Sequence, residues 1–135
     1  MKHGKAINIY VSVAWNYENQ LNELIKMLDK TGLNYLIRKI PLEDPVFQSS
    51  FSSAISAAME EIMAGCDFVF YLNGVYEEYK KLIDIETKAA KNLKLISAVI
   101  DRWGDEKTSP YYDDIVSDEI PWDSDHLKNY LVNRK

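Results

Sequence analysis

Glu86 is a carboxylate set in the apolar stripe of a helix, and that misfit is where chemistry can begin. At about 100° per residue, the helical segment 77–91, with Leu93 just beyond it, places Tyr79, Leu82, Ile83, Ala89, Ala90 and Leu93 on one face. Lys80, Lys81, Asp84, Lys88 and Lys91 occupy the other. Glu86 lies three and four residues from Ile83, Leu82, Ala89 and Ala90, so it points with the apolar set toward the body of the protein. Burying an ionised carboxylate costs several kcal/mol unless it is paired, hydrogen-bonded or neutralised by a raised pKa. Two readings stay open on the pattern alone. One is a functional carboxylate, the other a helix-edge Glu reaching water past small alanines.

The elements that must position this residue follow from periodicity. Residues 6–13 alternate and are rich in β-branched and aromatic types, which reads as a first strand. Asn16 is placed to cap a helix whose Leu21, Leu24, Ile25 and Leu28 recur at helical spacing, and Thr31-Gly32 ends it. Residues 34–40 form a second strand, after which Pro41 and Pro45 break regular structure. Phe51, Ala54, Ile55, Ala58, Met59 and Ile62 mark a second helix closing at Gly65. Residues 67–72 are a continuous apolar run, expected of a strand covered on both faces. The Glu86 helix comes next, then a strand over 94–100, a short helix near 111–116, a strand near 119–122 and a last helix over 124–132.

Strands separated by helices imply right-handed crossovers and an α/β fold, a three-layer parallel sheet of about five strands with helices on both faces. Ligands bind outside the carboxyl ends of such strands. That rule selects the loops 12–17, 41–50, 73–79 and 102–109, and Glu86 sits about two turns into the helix leaving the third.

With 135 residues, 47% apolar and 27% charged, the chain fits one globular domain over residues 1–135 and a folded rather than disordered state. A net charge of −5 argues against a nucleic-acid partner. No run is long enough to span a membrane, no secretory signal is apparent, and the single cysteine, Cys66, fits a reducing cytosol. Two histidines, His3 and His126, with that cysteine give no metal-ligand spacing. Neither GxGxxG nor GxxxxGK[ST] occurs, so neither a Rossmann nor a P-loop site is supported. Ser12-Val13-Ala14-Trp15 stands at the end of the first strand where a flavodoxin-like phospho-receiver would carry an acidic cluster.

Five local signatures, in order, resemble the TIR-like family typified by bacterial Thoeris antiphage systems, within the Toll/interleukin-receptor superfamily. Ser12-Val13-Ala14-Trp15 matches its Ser-His-Ser-Trp, and Ile40-Pro41-Leu42-Glu43-Asp44-Pro45 matches its Val-Pro-x-x-Asp-Pro. Cys66-Asp67 through Leu72, then Gly74-Val75-Tyr76, matches its Cys-Asp run closing in Gly-hydrophobic-Tyr. Leu82-Ile83-Asp84-Ile85-Glu86 with Ala89 or Ala90, and later Trp103-Gly104-Asp105-Glu106, match its Trp-Ile-x-x-Glu-Ile-x-x-Ala and Trp-Gly-x-Glu. The chain departs from the pattern at Val13 and Ala14, which replace His and Ser, and at Leu82, which replaces Trp.

The resemblance implies a flavodoxin-like, TIR-like domain that cleaves the nicotinamide–ribose bond of NAD⁺ and releases a cyclic ADP-ribose-type signal in antiviral defence. It implies Glu86 as the catalytic residue, and Ser12, Ala14, Trp15, Asp44, Gly74, Tyr76, Tyr79 and Leu82 as substrate-contacting positions. Departure of nicotinamide leaves an oxocarbenium-like ribosyl cation, which a nearby anion stabilises. NAD⁺ is then the substrate, with no further cofactor and no metal. The implied partners are further copies of the chain, through the loop after the second strand, and an effector that responds to the product. For Trp15 packing under the next helix stands beside ring stacking, and for Ser12 a helix-leading hydroxyl stands beside phosphate or ribose binding. Tyr76 and Tyr79 line the pocket or belong to the core, and Pro41 and Pro45 stiffen their loop. A non-catalytic TIR-like module and a nucleoside deoxyribosyltransferase-like enzyme are the competing classes.

Overall fold

The computed structural model describes residues 6–16, 19–41, 43–48, 51–72, 80–101 and 118–134. Its strands are β1 (Ile7–Val11), β2 (Tyr35–Arg38), β3 (Phe68–Leu72), β4 (Ile96–Asp101) and β5 (Asp118–Pro121). Its helices are α1 (Gln20–Lys30), α2 (Ser52–Met63), α3 (Lys80–Asn92) and α4 (Ser124–Arg134). The strands form one five-stranded sheet in the order β2-β1-β3-β4-β5, and every adjacent pair is parallel. The expected α/β class and strand number are therefore observed. The predicted helix at 111–116 lies outside the described residues, as do the loops 73–79 and 102–109.

Register assigns the two faces of the sheet. Phe68 and Phe70 bring their rings to 5.8 Å and 6.4 Å from Tyr130 of α4, and α1 packs on that same side. Tyr10 pairs with Val69 between them and turns the opposite way, toward α2 and α3. All five β3 residues are buried, since helices cover the central strand on both faces. β2, at an edge, alternates in exposure and leaves Leu36 56% exposed.

Several boundaries differ from the sequence reading. β1 ends at Val11, and Val13–Asn16 forms a 3-10 turn instead of extending the strand. α1 starts after Asn19, whose backbone is left-handed at φ 62°, so Asn16 is not its cap. Met27 rather than Ile25 joins Leu24 and Leu28 in the core. Phe51 is not part of the α2 stripe; it precedes the helix at 71% exposure, Ala54 is exposed, and Met63 completes the buried row with Ile55 and Met59. Gly32 and Gly65 take φ of 73° and 86° after α1 and α2, a conformation open to glycine at no steric cost. Among the described residues no helix is long and apolar enough to cross a membrane.

Candidate active site

β1 lies between β2 and β3, so the chain crosses from it in opposite directions, and the crevice at its carboxyl end is the topological switch point of the sheet. A specific set of bonds shapes the chain there. The Ser12 N–H donates to the Phe70 carbonyl at 2.9 Å, and the Trp15 N–H donates to the Ser12 carbonyl at 3.0 Å. The Trp15 indole N–H donates to the same Phe70 carbonyl at 3.0 Å. Together they fold the 3-10 turn over the end of β3 and leave the Val13 N–H directed at α3.

α3 buries Ile83, Glu86, Thr87, Ala89 and Ala90. The two alanines let the helix approach the sheet closely, and the Thr87 hydroxyl donates back to the Asp84 carbonyl at 2.8 Å. Glu86 is 0% exposed. Its Oε2 accepts the Tyr10 hydroxyl at 2.6 Å and the Val13 N–H at 2.9 Å, while Oε1 accepts the Ser12 hydroxyl at 2.5 Å. The two O–H···O lengths fall in the range of charge-assisted bonds, about 2.5–2.7 Å. All three donors belong to β1 and its turn, so the carboxylate fastens α3 to the switch point.

Burial pushes the Glu86 carboxyl from its ordinary 4.5 up to about 7, and the hydrogen bonds from Ser12, Tyr10 and Val13 pull the other way. Tyr10 is raised well above its usual 10.0, by burial first and by the charge of Glu86 second. A carboxylate poised near neutrality in a dry site can stabilise an adjacent cation as an anion or move a proton as an acid.

The other predicted residues divide by position. Ser12 is 2% exposed and spends its hydroxyl on Glu86, while its Oγ also accepts the Ala14 N–H at 3.3 Å. Ala14 is fully buried. Trp15, at 1% exposure, has its single donor occupied and its ring centroid 6.3 Å from that of Trp122, the packing alternative of its two readings. Leu82 is half-buried against the core one turn from Glu86. Asp44 is exposed and makes local bonds: its Oδ1 accepts the Val46 N–H at 3.1 Å at the start of the 3-10 turn Pro45–Gln48. Gly74, Tyr76, Tyr79 and Trp103 lie outside the described residues.

Neither Tyr10 nor the Val13 N–H is among the predicted site groups. Strand alternation carried the signal for the first, because residues two apart share a face and Tyr10 must point with Ser12. No signal announced the second, since it depends on the turn held by Phe70.

No protein-family model matches the chain, and no curated protein matches it. Among solved structures it is similar to a 3-dehydroquinate dehydratase-like protein from Bifidobacterium longum, with 11% identity, 96% of this chain and 94% of that chain covered, and a TM-score of 0.43. It is also similar to the CMP N-glycosidase BcmB from Clostridium botulinum, with 13% identity, 93% of this chain and 98% of that chain covered, and a TM-score of 0.44.

Proposed function

We propose that this chain is an enzyme that cleaves an N-glycosidic bond, with Glu86 as the catalytic residue and NAD⁺ as the substrate its TIR-like motifs point to. The observation that carries the reading is Glu86 itself: a fully buried carboxylate at the switch point, held by three neutral donors and titrating at about 7. Nicotinamide leaves with the bonding electron pair as a neutral molecule, and C1 of the ribose becomes cationic. The ionised carboxylate stabilises that charge, more strongly in low dielectric than in water. Water then attacks C1 and gives up a proton to the Glu86 carboxylate, yielding ADP-ribose, or a nitrogen of the adenine ring closes on C1 and yields a cyclic isomer.

The two carboxylate oxygens have different duties in this mechanism. Oε2 stays fixed by Tyr10 and Val13, whereas Oε1 is held by Ser12 alone. The ribose reaches Glu86 when the crevice opens and the Ser12 hydroxyl yields Oε1. Self-association through the loop after β2, an effector answering the product, and action in the cytosol in antiviral defence complete the proposal.

The full burial of Glu86 also favours a second reading, a non-catalytic TIR-like module in which the carboxylate only clasps α3 to β1. Incubation with NAD⁺ beside CMP and deoxynucleosides, followed by chromatography of the released base, separates the two for wild type and Glu86→Gln. Nicotinamide release by wild type and its loss in Glu86→Gln is the expected result. Equal turnover in both proteins removes Glu86 from the chemistry. Turnover of deoxynucleosides without NAD⁺ assigns a different substrate. A Glu86→Gln protein altered in stability alone, beside an inactive wild type, leaves the clasp.

A further inference from the structure

We infer that Asp101 binds the ribose of the substrate, as a second carboxylate in the crevice that Glu86 serves; the choice of a ribosyl ligand rests on the N-glycoside reading above. Asp101 is the last residue of β4 and is 5% exposed. Its Oδ1 is buried and has no hydrogen-bond partner among the described residues. A carboxylate oxygen takes only donors, and leaving one desolvated and unpaired is costly. An observation of that kind asks for a ligand that brings a donor.

Register says where this oxygen belongs. Tyr10 pairs with Val69, Val69 with Ser97 and Tyr71 with Val99. Alternation then puts Asp101 on the same face of the sheet as Tyr10 and Tyr71, the face that α3 covers with Glu86. Tyr71, on the strand between, lies near enough to Tyr10 for the two hydroxyls to influence each other. β4 is two strands from β1, about 10 Å at about 4.8 Å per strand, within the reach of one nucleotide sugar. Both carboxylates thus flank the carboxyl end of β3 from one side.

A ribose bound with C1 toward Glu86 offers its remaining hydroxyls as donors beside the reacting carbon. Such bonds strengthen as the ring gains positive charge in the transition state. Asp101 accepts from the 2-hydroxyl, the one next to C1, and fixes which face of the sugar meets Glu86. A sugar that lacks a hydroxyl leaves Asp101 desolvated and unpaired, so the site selects ribose over deoxyribose.

Calorimetric titration with ribose 5-phosphate and with 2-deoxyribose 5-phosphate tests this without requiring turnover. Wild type is expected to bind the ribose form roughly 10-fold tighter or more, and Asp101→Asn to bring the ratio close to one. Asp101→Ser repeats the measurement should the Asn protein fail to fold, and thermal unfolding checks each variant. Wild type that binds both sugars alike, or neither, overturns the inference, as does a variant that keeps the wild-type ratio. NAD⁺ cleavage is read separately. Cleavage without ribose preference removes Asp101 and leaves the N-glycosidase reading, whereas ribose preference without cleavage of any N-glycoside does the reverse.

Discussion

Glu86 experiences two opposed pulls, and both can be measured. Burial favours the neutral acid, while three donors favour the anion. If the anion is the working form, kcat/KM for NAD⁺ rises with pH and levels off above about 7. Tyr10→Phe removes a donor that holds the carboxyl down, so the midpoint of that profile should move upward and the rate at pH 7 fall several-fold. An unmoved midpoint means that Tyr10 does not act through Glu86. Stability follows the same proton with the opposite sign. The folded pKa of about 7 exceeds the ordinary 4.5, so the stabilisation is fully present below 4.5 and is lost as pH rises through about 7. The loss amounts to about 3 kcal/mol at about 1.4 kcal/mol per unit. Urea unfolding of wild type and Glu86→Gln between pH 4.5 and 8 should show the Gln protein gaining on wild type by about that amount; a constant gap means that Glu86 stays ionised throughout.

Helices α2 and α3 form one layer, and each carries a distinct energetic weakness or strength. α2 starts at Ser52, and Phe51 before it is 71% exposed and makes no side-chain cap, although its φ of −89° and ψ of 99° suit a capping residue. Phe51→Asp should therefore raise the unfolding free energy by about 1 kcal/mol by supplying that cap; a loss measured by urea unfolding would mean that the contacts of the ring outweigh the cap. α3 depends on tight packing, with Ile83 fully buried one turn before Glu86. Ile83→Ala should cost about 2–5 kcal/mol and weaken the proposed NAD⁺ turnover by loosening the carboxylate, whereas an unchanged urea midpoint would place the anchoring elsewhere. The stripe of α3, with its intruding carboxylate, was legible because it is written in one continuous stretch of residues. The start of α1 was not. Asn16 has a capping side chain by type, yet it falls in a turn that the Phe70 carbonyl holds through Trp15, 55 residues away in sequence.

At the scale of the whole molecule, alternation of strands and helices was enough for the parallel α/β class, because crossover handedness leaves few arrangements. The order of strands was not written in any periodicity, and neither was the pairing of Tyr10 with a carboxylate 76 residues later. Glu86 could be seen as misplaced, and its partners came only with the sheet. The same applies to Asp101, an ordinary strand-end residue until its neighbours define a face. Cys66 adds a different consequence. It is the one cysteine of the chain, free, buried at 6% exposure before β3, and burial pushes its thiol above the usual range despite the pull of Arg38. Modification by an aromatic disulfide at pH 8 should be far slower in the native protein than in urea, and equal rates would mean that the entry to β3 opens freely. Because attack must wait for that opening, ligands that stabilise the closed sheet lower the rate in proportion to their occupancy. The sulfur is thus a native chronometer, able to rank candidate nucleotides by protection before any product has been identified.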